Sequence, residues 1–143
     1  MRKLHFTILF LMASTMIAGC AGFPMSTSET EPVSNNNAVV ALMDSARTDI
    51  ANGKLDAAVG PLERALRIEP RNPVLWHELA RLRLQQGQYQ QAEGMATRSN
   101  SWAGDNKVLR AENWRIVGEA RLKRGDRQGA QAAFDKAATQ GAE

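Results

Sequence analysis

From about residue 38 onward, apolar residues recur at spacings of three and four, the signature of helices that bury one face. Val39, Leu42, Ala46 and Ile50 share one such face, Ala58, Leu62, Ala65, Leu66 and Ile68 a second, and Trp76, Leu79, Ala80 and Leu84 a third. Glycine punctuates the runs. Gly53, Gly87 and Gly125 each follow a helical stretch, where a residue free to adopt positive φ closes the last turn. The pattern also repeats: Gly53-Lys54-Leu55 with Ala58, Leu62 and Ala65 returns 34 residues later as Gly87-Gln88-Tyr89 with Ala92 and Ala96. Gly125-Asp126-Arg127 with Ala130, Phe134 and Ala137 is a third copy, 38 residues after the second. Self-similarity of that length marks a helix-pair repeat, and three copies are the usual minimum for a stacked array. The sequence therefore predicts an all-α fold of three helical hairpins.

The hairpin boundaries follow from local chemistry. The Asn35-Asn36-Asn37 run offers N-cap oxygens to a first helix reaching about Ala51. Asp56 is placed to cap a second helix, about Ala57 to Glu69, inside which Pro61 costs one hydrogen bond and bends the axis. Pro70 ends it. Asn72-Pro73 couples a cap to proline at the first helical position and opens the second hairpin. Its partner helix runs from Tyr89 to about Ser99. The third copy carries four extra residues, about one helical turn, which predicts a lengthened helix capped by Asp105 and ending before Gly125. Asp126 then caps a last helix to about Gln140.

Ahead of the repeats lies a segment of another kind. Met1 to His5 is basic, and Phe6 to Ile17 is largely apolar, too short to span a bilayer comfortably and suited to a signal-peptide core. It ends at Ile17-Ala18-Gly19-Cys20, which holds the chain's one cysteine. This ending resembles the bacterial lipobox, which implies cleavage before Cys20 and lipidation of its sulfur. A plain signal peptide with a chance cysteine, or a free buried thiol, is the alternative. Residues 1–19 thus read as a leader and 20–37 as a lipidated cysteine with a Ser-, Thr-, Asn- and Pro-rich linker, leaving 38–143 as the repeat domain. Loss of the leader removes Arg2 and Lys3, so 16 basic residues face 15 acidic ones and the net charge falls to +1. The pI of 9.4 therefore overstates any attraction to nucleic acid, and no nucleic-acid partner is expected. Ala21 beside Cys20 resembles the enteric signal for outer-membrane sorting, so the expected location is the periplasmic face of the outer membrane.

The residues of the array resemble the tetratricopeptide repeat, a 34-residue antiparallel helix pair. Counted from Val39, the first copy places Leu42, Ala46, Gly53, Ala58, Leu62, Ala65 and Pro70 at the family's marked positions, with Ser45 as the poor fit. Counted from Pro73, the second places Trp76, Leu79, Ala80, Gly87, Ala92, Ala96 and Ser99. The third, counted from Ala111, places Trp114, Val117, Gly118, Gly125, Ala130, Phe134 and Ala137. The family's eleventh-position aromatic is missing throughout, its place taken by Asp49, Arg83 and Arg121, and the closing proline is absent from the second and third copies. The resemblance implies three hairpins, at about 39–72, 73–106 and 111–143, stacked as a short right-handed α-solenoid. Trp76 and Trp114 are then core residues, with partner contact as their second reading. The last pair, lacking a solvating helix, would leave the face of Ala130, Phe134 and Ala137 uncovered, open to self-association through the C-terminal helix.

In such arrays the concave surface is lined chiefly by the second, fifth, ninth and twelfth or thirteenth positions. The fifth positions are Met43, His77 and Arg115, the ninth Arg47, Arg81 and Glu119, and the thirteenth include Gln85 and Lys123. The resemblance thus implies a mainly basic strip, suited to an acidic or C-terminal peptide across Arg47, Arg81 and Arg115. A solvated basic face with no ligand is the other reading. The residues show no catalytic constellation and no metal site, since His77 is expected on the surface or in the groove without ligand partners. No cofactor is expected. The expected role is a membrane-anchored adaptor for an envelope protein or peptide. The alternative is a catalytic or ligand-binding lipoprotein that uses the helices as a scaffold.

Overall fold

The structure, a computed structural model, describes residues 33–141; the leader, Cys20 and the linker up to residue 32 lie outside them. Six helices follow one another: α1 (Asn37–Ala51), α2 (Leu55–Ile68), α3 (Pro73–Gln85), α4 (Tyr89–Trp102), α5 (Lys107–Lys123) and α6 (Arg127–Gly141). No strand is present among the described residues. Each helix packs on the next, α3 also touches α5, and the result is a stack of three antiparallel pairs.

The punctuation works as the residues suggest. Asn36 accepts from the Ala38 amide, and Asn72 accepts from Val74 and Leu75, with Pro73 at the first helical position. Asp126 Oδ1 takes the Gly129 amide at 2.8 Å. Gly53, Gly87 and Gly125 have φ of 72°, 73° and 86°, a region that a β-carbon disfavours. Two caps differ from expectation. Lys54, not Asp56, holds the N-cap position of α2, leaving Asp56 in the first turn where its charge favours the helix dipole. Asn106, one residue beyond Asp105, caps α5 by accepting from Leu109. Pro61 is carried within α2, which continues to Ile68. The additional turn of the third copy lengthens α5 to 17 residues.

Two clusters form the core. The first joins Val39, Met43 and Ala46 of α1, Ala58, Leu62, Ala65 and Leu66 of α2, and Leu75, Leu79 and Leu82 of α3. The second is built on small residues, Ala80, Ala92, Ala96, Ala120 and Ala133, filled by Ile116 and Val117. Alanines let the helix axes approach closely. Met95 packs against both clusters. At Gly118 the approach is closer still: a β-carbon there would lie 2.5 Å from the Phe134 ring.

Burial corrects several sequence readings. Met43 is 1% exposed and belongs to the first core, not the groove, because α1 turns this residue toward α2 and α3. Ile68, read as inward, is exposed at the end of α2, and Trp76 is only half-buried at the edge of the first core. Ala130, Ala133 and Ala137 of α6 are buried, with Phe134 over Gly118, so the apolar side of the last helix already faces α5. Its outer side, with Gln131, Ala132, Asp135, Lys136, Ala138 and Thr139, offers no large apolar residue for a second copy. The linker reading also shortens: Val33 packs on the first core, its carbonyl accepts from Asn72 Nδ2 at 2.8 Å, and Ser34 Oγ donates to Glu69.

Candidate partner-binding groove

The first helices of the second and third pairs, α3 and α5, place their matching positions side by side. His77, Arg81, Leu84 and Gln85 from α3 meet Glu112, Arg115, Ile116 and Glu119 from α5 around a cleft of about 590 Å³. A narrower cleft of about 200 Å³ lies between α1 and α3, lined by Arg47, Ile50, Ala51, Glu78, Arg81, Leu82 and Gln85. Arg81 and Gln85 border both, so the two clefts lie side by side along the first helices, and together they are called the groove.

Its electrostatics are not those of a basic strip. Arg47, Arg81 and Arg115 line the groove beside Glu78, Glu112 and Glu119. Glu78 is held between two of the arginines, 3.7 Å from Arg47 Nη2 and 3.4 Å from Arg81 Nη1, and Arg47 also approaches Asp44 at 3.9 Å. These charges are largely balanced within the fold. Arg115, in contrast, makes no ion pair among the described residues. Lys123 is exposed near the end of α5 and lines neither cleft.

His77 forms the floor and is buried, not a surface residue. Its Nδ1 lies 2.8 Å from Asn113 Oδ1, and its Nε2 lies 3.7 Å from Glu112 on the cleft side. Asn113 Nδ2 donates to Ser99 Oγ at 2.7 Å and to Asn100 Oδ1 at 2.9 Å, while Ser99 Oγ donates to the Pro73 carbonyl at 2.8 Å. With both its amide hydrogens directed at acceptors, Asn113 presents its carbonyl to the histidine. Nδ1 of His77 then directs a hydrogen at Asn113 Oδ1, while Nε2 faces the Glu112 carboxylate on the cleft side. This network ties α3, α4 and α5 together under the groove.

Sequence reasoning had placed His77, Arg81, Gln85, Arg115 and Glu119 together, and the structure joins them. It missed Glu112, although the second-position rule reaches that residue, and it missed Leu84, which occupies a twelfth position. Glu78, Ile116 and the buried Asn113 had no comparable signal. No group of three or more His, Cys, Asp or Glu side chains able to hold a metal occurs among the described residues.

The stacked pairs, the small residues at their crossings and a groove on the first helices define a helical-repeat binding scaffold. The tetratricopeptide repeat family profile matches residues 49–111. Among solved structures, the globular C-terminal domain of P. aeruginosa LpoP is similar over 73% of this chain and 98% of its own, at 39% identity and a TM-score of 0.70. The N-terminal domain of stress-induced protein-1 (STI-1) from C. elegans is similar over 72% of this chain and 84% of its own. At 15% identity and a TM-score of 0.68, that likeness shows the shared fold. No curated protein sequence matches the chain. The chain belongs to the tetratricopeptide repeat family.

Proposed function

We propose that this protein is a lipid-anchored adaptor of the bacterial envelope, held by Cys20 at the periplasmic face of the outer membrane, that grips a protein partner in the α1–α3–α5 groove. The groove is the observation that carries the binding role, because it brings Arg115, the ring edge of His77 and the apolar Leu84 and Ile116 to one concave surface. The anchor reading rests on the Ile17-Ala18-Gly19-Cys20 sequence. Its complement is that no helix among the described residues is long and apolar enough to cross a membrane.

The charge balance sharpens the partner's chemistry. Arg47 and Arg81 share Glu78, so a long acidic run would have to displace that carboxylate and leave it unpaired. Arg115 has no such competitor. A single carboxylate, from a side chain or a chain end, therefore meets Arg115, with apolar neighbours packing on Leu84 and Ile116. Whole-cell crosslinking followed by mass spectrometry tests this, with Cys20→Ser as the unlipidated control. Arg115→Glu should lower recovery of the crosslinked partner at least about tenfold, the loss expected when an opposite charge pair becomes a like one. Unchanged recovery would rule out the groove as the binding surface.

A further inference from the structure

Successive helices run antiparallel, so the starts of α1, α3 and α5 and the ends of α2, α4 and α6 lie at one end of the stack. Five large hydrophobic residues are exposed among the described residues, and four of them lie in the first or last turn of a helix at this end. They are Val40, Ile68, Trp102 and Val108; only Leu122 lies at the other end. Arginines accompany them. Arg64 and Arg67 border a cleft with Ile68, Leu42, Ala38 and Ala41. Arg71 stands 5.1 Å over the Trp102 ring and Arg98 4.8 Å over the Trp76 ring. None of these four makes an ion pair among the described residues. At the opposite end three arginines are neutralised, Arg83 by Glu63 and both Arg121 and Arg124 by Glu93, and the exposed cations Lys54, Lys123 and Arg127 have no large exposed apolar neighbour but Leu122. Glu69, between Arg67 and Arg71 in sequence, is occupied by Ser34 and Asn72, and Asp105 is the exposed acid in the turn after Trp102.

The path of the chain gives this end its orientation. Val33 and Ser34 are fastened beside the 69–72 turn, at the same end. Twelve residues separate Val33 from Cys20, a length that spans at most roughly 40 Å when fully extended. Exposed tryptophan and aliphatic side chains interleaved with unpaired arginines match the headgroup region of an anionic bilayer. Aromatic rings settle at that depth, and guanidinium groups meet lipid phosphates there.

We propose that this end of the repeat stack is a second membrane contact, seating on anionic lipid headgroups through Arg64, Arg67, Arg71 and Arg98, with Trp102, Ile68 and Val108 at the interface. The reach of the linker rests on the lipid-anchor reading; the chemistry of the face does not. The consequence is a fixed posture. The helices stand on the bilayer, and the groove opens sideways, parallel to the membrane, instead of sampling all directions on a loose linker.

The full chain, extracted from membranes as the cell processes it, can be placed in vesicles of phosphatidylethanolamine and phosphatidylglycerol that contain brominated acyl chains. Bromine quenches tryptophan only at short range. Emission should fall, the quenched fraction should disappear in Trp102→Phe, and high salt should reverse it by screening the arginines. Arg67→Glu with Arg71→Glu should lose most of the quenching, whereas Lys123→Glu with Arg127→Glu, the same charge change at the far end, should keep it. Equal loss from both pairs would reduce the effect to net charge and overturn the proposal. Flotation with uncharged phosphatidylcholine vesicles reads the anchor separately. A chain that floats there yet shows no Trp102 quenching on anionic vesicles keeps the anchor and overturns the seated face. A chain that fails to float there but is quenched on anionic vesicles removes the anchor and supports the face.

Discussion

At the scale of single residues, neighbours on one helix exchange the roles that their types suggest. Trp76, the large apolar residue, is half-buried with its indole N–H donated to the Pro70 carbonyl at 2.9 Å. His77, the polar one, is buried on Asn113. His77→Ala should therefore destabilise the domain at least as much as Trp76→Ala, with each change costing about 2–3 kcal/mol in denaturant titration. Asn113→Leu should cost about 2–4 kcal/mol, because it strands His77 Nδ1 and removes the donors to Ser99 and Asn100. Nitrogen NMR should find a hydrogen on His77 Nδ1; a bare Nδ1 would mean that Asn113 is turned over and the network runs in the opposite sense. The sequence could not show this exchange of roles. Glycines and caps are legible one residue at a time, since Gly53 or Asn72 answers a constraint of its own backbone. The burial of α3 is not, because this helix is enclosed by α2, α4 and α5 and buries Leu75, His77, Leu79, Ala80 and Leu82 on more than one side. A single apolar stripe describes a helix with one covered face, and so it set Trp76 fully in the core and left the buried contact of His77 with Asn113 unseen, while finding Leu79 and Ala80.

Between elements, the departures from the family pattern turn out to be joints. Where an aromatic would stand at the eleventh position, Arg83 reaches Glu63 at 3.6 Å and Arg121 reaches Glu93 at 2.6 Å, each bridging to the second helix of the preceding pair. An ion pair and the aliphatic stem of arginine thus replace ring packing at both junctions. The eighth position of the third copy shows the opposite economy, with Gly118 yielding its whole side-chain volume to Phe134. Gly118→Val should cost about 1–3 kcal/mol by overpacking, read as a lowered Tm, and Phe134→Leu in the same chain should recover part of the loss. If the double variant is no better than the single one, the contact between α5 and α6 is looser than the geometry indicates. These junctions explain how the repeat register could be read while the groove's charge could not. Gly, Ala and Phe at 34- to 38-residue spacing announce the crossings, but the Glu78 carboxylate that neutralises Arg47 and Arg81 sits at a sixth position outside the repeat's marked set.

For the whole molecule, the fastening of Val33 and Ser34 has a mechanical meaning. The chain arrives not at the free start of α1 but beside the turn that joins the first pair to the second, where Asn72 and Glu69 hold it. A pull applied from the N-terminal side meets these two hydrogen bonds before it reaches α1, and α1 itself is locked by Val39, Met43 and Ala46 in the first core. Load taken up through the groove would thus be passed to the boundary between pairs, instead of stripping the array one helix at a time. Stretching single molecules between residue 20 and the C-terminus should show a first yielding event whose force falls when Asn72→Ala and Ser34→Ala remove the fastening. An unchanged force would mean that α1 bears the load directly. With the chain tethered and its partner held as proposed, that small knot would decide how hard the partner can tug before the grip itself begins to unravel.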